Sequence, residues 1–243
     1  MKSERIPVKS FSADNGFIGK MQKLVREEVL PYQYNILNDA IPGIEKSHAI
    51  ENIRLAAEKL RGKDVKPDEF YGMVFQDSDV AKWIEAAAYA LAAGEDPELE
   101  KAVDETIQLY GASQHEDGYV DSYFTVKCPD KMWTNICDAH ELYCAGHMME
   151  AAVAYYEVTG KRELLDIMSK SADCIYEQFM KKNTRAYPGH PEVELALMRL
   201  WRATGNEKYK ELGKHFVDVR GQAPNYFVEE KKNRGWNVWD GTE

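Results

Sequence analysis

The chain has 243 residues, a formal net charge of −10, 44% hydrophobic and 30% charged residues, enough length for one sizeable core or two small ones. The negative balance and the lack of a Lys/Arg stripe exclude nucleic acid as the main partner, since phosphate binding needs clustered cations. No run approaches the roughly 20 apolar residues of a membrane span, and Met1 to Ser10 is not followed by the apolar stretch of a secretion signal.

Taken in chain order, 19–30 and 49–60 are predicted helices. Asp79 caps a third, carrying Trp83, Ile84, Ala87, Ala88 and Leu91 at steps of three and four up to Gly94. Pro97 opens the next, with Leu99, Val103, Ile107 and Tyr110 on one face. The segment 111–138 reads as irregular, with turn signals at Asp117-Gly118 and Cys128-Pro129. A long helix over 139–158 ends at Thr159-Gly160. The next buries Leu164, Met168, Ala172, Ile175 and Phe179. After a loop at 183–189, His190-Pro191 begins a helix with Val193, Ala196, Leu197, Leu200 and Trp201 inward, ended by Thr204-Gly205. Tyr209, Leu212, Phe216 and Val219 define the last, stopped by Gly221. The sum is about eight helices and no sheet.

Three units repeat as helix, Gly-containing turn, helix, at Gly94, Gly160 and Gly205. The glycines are 66 and then 45 residues apart, unlike the near-constant period of a solenoid. The uneven spacing favours a toroid, with the long connection 111–138 at its functional end.

Three polar clusters are candidate sites. His140-Glu141-Leu142-Tyr143-Cys144-Ala145-Gly146-His147 invites a metalloprotease reading, which fails because position 144 is Cys and the second His falls at i+7. A zinc site of His140, Cys144 and His147 fits on spacing but lacks a fourth ligand. The favoured reading is one packed histidine and one facing a cleft. In Tyr187-Pro188-Gly189-His190-Pro191-Glu192-Val193-Glu194, two prolines hold His190 at a helix start. Glu192 and Glu194 are either sugar-binding or acid/base carboxylates, or complements to the helix dipole. In Gln114-His115-Glu116-Asp117-Gly118-Tyr119, the turn either holds Tyr119 over a pocket or is surface. Asp77 or Asp79 reads foremost as a helix cap, and Trp83 near that helix start is a candidate to stack on a sugar ring. Cys128, Cys137, Cys144 and Cys174 form no Cys-x-x-Cys pair and read as reduced thiols, which places the protein in the cytoplasm.

Together these blocks resemble the β-L-arabinofuranosidase family, glycoside hydrolase family 127. The similar blocks are 75–83 (Phe75 to Trp83), Asp117-Gly118-Tyr119, His140 to Tyr143 with Gly146-His147, 189–197 (Gly189 to Leu197), and Val219-Arg220-Gly221. The resemblance runs in order from Leu30 to Gly221. It implies an all-α fold, a partial (α/α)6 toroid of helical hairpins forming the amino-terminal part of the catalytic barrel. It implies a glycosidase that removes L-arabinofuranose from non-reducing ends of glycans with retention. It also implies a zinc-bound cysteine nucleophile, a zinc held by a Glu and three Cys, and a glutamate acid/base. Nothing in this chain corresponds to those residues, so no catalytic or metal residue is assigned within it, and zinc is expected only in the full-length family. His140 and His190 carry over as substrate-binding residues, with Glu192, Tyr119 and Asp77 as further pocket candidates.

The expectations are a single domain over 1–243 with a poorly packed tail at 222–243, an incomplete ring, and a truncated product inactive on its own. A homodimer is expected from the open ring edges. The competing readings are a non-catalytic carbohydrate-binding remnant, a helical-repeat interaction scaffold, and a different toroid enzyme such as an unsaturated uronyl hydrolase or sugar epimerase.

Overall fold

A computed structural model describes residues 6–11, 13, 16–182, 186–223 and 226–235, and all regular structure among them is helical. In order these are α1 (Gly16–Leu24), α2 (Leu30–Leu37), α3 (Ala49–Leu60), α4 (Asp77–Ala93), α5 (Pro97–Ala112), α6 (Ser122–Lys127), α7 (Glu141–Thr159), α8 (Glu163–Tyr176), α9 (Val193–Thr204), α10 (Glu207–Gly221) and α11 (Tyr226–Arg234).

The three repeated units are hairpins α4–α5, α7–α8 and α9–α10. Gly160 and Gly205 close the second and third with φ of +80° and +74°, where a side chain would be strained. Gly94 is extended instead, and α5 is opened by Asp96, whose carboxylate accepts from the Leu99 amide at 3.1 Å. Helix α7 lies between α4 and α9, forming an inner arc. Helices α8 and α10 pack behind, on α7 and α9. The result is an all-α partial toroid. Its core is the continuous set Val80, Ile84, Ala88, Leu142, Met148, Met149, Tyr155, Leu164, Met168, Phe179, Leu197 and Phe216. Helix α7 is buried nearly all round because it has a neighbour on each side.

Several sequence expectations shift. The segment 111–138 is not wholly irregular: Asp121 accepts from the Phe124 amide and caps α6. Helix α9 starts at Val193 rather than His190. Neither Asp77 nor Asp79 caps α4, since the position before it is Gln76 and no side-chain cap bond forms. Trp83 is buried in the core, stacked on Tyr34 at 4.6 Å and donating Nε1–H to the Leu30 carbonyl, so it is not available to a sugar. The first predicted helix does not stop at Leu30. A wide turn over Val25–Val29 joins α1 to α2, and its looser hydrogen-bond pattern accommodates Pro31, which has no N–H to donate. Residues 183–185, within the expected loop, and 236–243, within the expected tail, lie outside the described residues.

Candidate functional site

The start of α7 and the segment entering α9 meet beside the first turns of α4. His140 stands immediately before α7 in the left-handed region, with φ of +63°. Its Nδ1 lies 2.6 Å from the Asp138 carbonyl oxygen. A carbonyl only accepts, so Nδ1 carries a proton and donates it. The His190 ring is 5.2 Å from that of His140. Tyr143, one turn into α7, contacts both, with centroids 5.6 Å from His140 and 5.0 Å from His190. His147, a further turn down, is 4.4 Å from Tyr143. Phe75 closes the other side at 5.3 Å from His140. Steps of three and four place His140, Tyr143 and His147 on one helix face.

Lys82 of α4 is the cation of this face. Its Nζ donates to Tyr143 Oη at 3.1 Å and to Ser78 Oγ at 3.1 Å. His147 Nδ1 is 3.4 Å from Glu192 Oε1. Burial, then Lys82 and His190, lowers His147 to about 4. Burial, reinforced by Glu150 and Glu85, raises Glu192. His147 is therefore uncharged near pH 7, and its contact with Glu192 is not an ion pair there. Burial and the His140 and Arg220 charges also lower His190.

The scaffold fixes these positions. Arg220 of α10 donates to the Pro188 carbonyl at 2.6 Å and to Glu194 at 3.2 Å, holding the segment that carries His190. A Cβ on Gly189 would fall 2.2 Å from the Cys137 carbonyl, so the loop ahead of α7 touches the loop ahead of α9. A Cβ on Gly146 would meet Glu192 Cγ at 2.9 Å and the Val193 amide nitrogen at 3.0 Å, so α7 and α9 approach closely. Deeper in the arc, Arg199 of α9 binds Glu150 of α7, Glu85 of α4 at 3.4 Å and Tyr89 at 3.2 Å.

The opposite face of α7 is also polar but closed. The Glu141 carboxylate accepts from the Trp133 amide at 3.0 and 3.1 Å and from Tyr119 Oη at 2.7 Å. Asp77 accepts from the Ser122 amide at 2.8 Å and from its hydroxyl. Burial, then the nearby Asp77 charge, pushes Asp121 well above the carboxylate range. Burial raises Asp77 and takes Glu141 up to about 7.

The structure thus brings His140, His190 and Glu192 together. Tyr119 and Asp77 are buried behind α7 with their polar groups committed. Tyr143 and Lys82 are not among the site residues expected from the sequence, and His147 is read there as a possible metal ligand or as the packed or cleft-facing histidine; the signal for Tyr143 and His147 is their one-face spacing from His140, whereas Lys82 comes from another helix. A cavity of about 670 Å³ lined by Pro7, Lys9, Tyr156, Arg199 and Arg202 lies at the far end of α7 and α9 and includes none of these rings.

Imidazoles, whose ring nitrogens can donate and accept, interleaved with aromatic faces, are chemically suited to a polyol with apolar C–H faces. Those features sit on a partial helical toroid. The model of the β-L-arabinofuranosidase, GH127 catalytic domain matches residues 12–242, and the chain belongs to that family. It is 41% identical over 226 residues to a non-reducing end β-L-arabinofuranosidase of Bifidobacterium longum subsp. longum, covering 85% of this chain and 33% of that protein. Among solved structures, a GH127 β-L-arabinofuranosidase from Geobacillus stearothermophilus T6 is 50% identical with a TM-score of 0.80, covering 93% of this chain and 36% of that one. A second GH127 β-arabinofuranosidase is 31% identical with a TM-score of 0.79, covering 92% and 36%. The chain spans about a third of the length of these relatives.

Proposed function

We propose that the chain supplies part of the sugar pocket of a glycoside hydrolase that releases L-arabinofuranose from non-reducing ends. His140 and His190 bind the sugar hydroxyls, and Tyr143, Lys82, His147 and Glu192 complete that wall. The observation that carries this reading is the pair of imidazoles 5.2 Å apart, delivered by two separate hairpins.

The nucleophile and the zinc belong outside this span. Among the described residues no group of three or more His, Cys, Asp or Glu is arranged to hold a metal ion, so the residues present do not fit the family's zinc. Burial raises the thiols of Cys128 and Cys144 and takes Cys174 up to about 12, which leaves them protonated at neutral pH and poor nucleophiles.

Calorimetry with methyl β-L-arabinofuranoside tests the binding role. The expected result is binding by the chain and its loss in His140→Ala and His190→Ala. Wild-type affinity in both variants would end the reading. Release of nitrophenol from an aryl β-L-arabinofuranoside by this chain would refute the placement of the nucleophile.

A further inference from the structure

We propose that Glu141 is the positioning residue of the sugar pocket: its buried carboxylate ties the Trp133 amide and the Tyr119 hydroxyl to the first turn of α7, and so holds the left-handed turn from which His140 faces His190. The inference rests on reading that hollow as a sugar site.

Three features carry it. His140 and Trp133 are both non-glycine residues with positive φ, +63° and +62°. Such residues persist only where surrounding structure over-determines them. They bracket a segment of six residues, and the Trp133 amide spends its hydrogen on both oxygens of the carboxylate adjacent to His140. Glu141 is only 3% exposed, more buried than macrodipole complementation in a first turn requires. Tyr119, whose hydroxyl completes the set, packs edge-on against the Trp133 ring at 5.0 Å, and Trp133 in turn packs on Phe179. One carboxylate therefore joins the connection before α6, the connection before α7, and α7 itself.

The titratable groups around Glu141 are Tyr119 and Asp121 from the connection before α6, Asp77 from α4, Cys144 from α7 and Cys174 across a small void from α8. None of these is a cation, so only the hydrogen bonds from the Trp133 amide and the Tyr119 hydroxyl oppose the burial of the carboxylate, and burial outweighs them. Protonation near pH 7 converts one acceptor oxygen into a hydroxyl and weakens the hold on Trp133.

The test follows the Trp133 amide proton and the His140 ring by NMR in the full chain from pH 5 to 9. His140→Ala assigns the ring signal. The expected result is a Trp133 amide shift with an inflection near pH 7, absent in Glu141→Gln. The same variant moves the His140 ring signal and weakens methyl β-L-arabinofuranoside binding about tenfold. Glu141→Asp, which keeps the charge but is one methylene too short, behaves like Glu141→Gln. An unchanged His140 signal in Glu141→Gln would reduce Glu141 to a packing role and overturn the proposal. If Glu141→Gln does not fold, Tyr119→Phe removes one of the same hydrogen bonds and is read in the same way. If the His140 signal responds but the wild-type chain binds no arabinofuranoside at any pH, the sugar reading fails while the positioning role stands.

Discussion

The first two turns of α7 present two polar faces of opposite character. The front, His140, Tyr143 and His147, is half-open and aromatic, and burial lowers His147 to about 4. The back, Glu141 and Cys144 with Asp77, Asp121 and Tyr119 around them, is closed and acidic. Both faces are buried enough to shift titrations, yet only the front leaves polar atoms for an incoming molecule. The difference shows how one helix divides labour: the back fixes loops with committed hydrogen bonds, and the front keeps donors and acceptors in reserve.

The sharpest way to break the comparison is at the back. Tyr119→Ala removes a buried ring and one hydrogen bond of Glu141, and is expected to cost ~3–5 kcal/mol in chemical denaturation. Asp77→Ala strands the Ser122 amide and hydroxyl and is expected to cost ~1–3 kcal/mol. Asp77→Asn keeps an acceptor and is expected to lose less than half of that.

The pH dependence of stability separates the faces by sign. Glu141, at about 7 when folded, holds a proton that the unfolded chain releases above its ordinary 4.5. Its contribution therefore falls as pH rises from 4.5 to 7. Asp77 and Asp121, also raised, act in the same direction. His147, at about 4 when folded against 6.5 unfolded, refuses a proton that the unfolded chain accepts, so its contribution falls as pH drops from 6.5 to 4. Glu141→Gln should tilt the curve toward greater stability at higher pH within that shared window, and His147→Ala should tilt it the other way. Urea midpoints at half-unit pH steps read both.

The smallest stability effects belong to the front. His140→Gly relieves a left-handed backbone and is expected to change stability by no more than about 1 kcal/mol, while abolishing arabinofuranoside binding. A large destabilisation by this variant would erase the distinction between the faces.

The sequence makes the hairpins legible because periodicity is local. Leu164, Met168, Ala172, Ile175 and Phe179 are all buried as their spacing predicts. The six-residue α6 is too short for periodicity to show, and it depends on its Asp121 cap and on packing against α3. Pro31 hides the continuation of α1 into α2, because the wide turn that tolerates it has no composition signature. Of the site, His140, His190 and Glu192 were visible through motif blocks. Tyr143 was within reach of the same helix-face spacing. Lys82 and the partners of Glu141 come from other elements, and no local pattern pairs position 141 with positions 119 and 133.

Gly146 has no side chain to offer a sugar, yet it works as the molecule's calliper. With 2.9 Å between an imagined Cβ and Glu192, each carbon added at that position would wedge α9 away from α7 and open the gap between the two imidazoles. The separation of the two imidazoles is thereby set in part by a residue that has no side chain of its own.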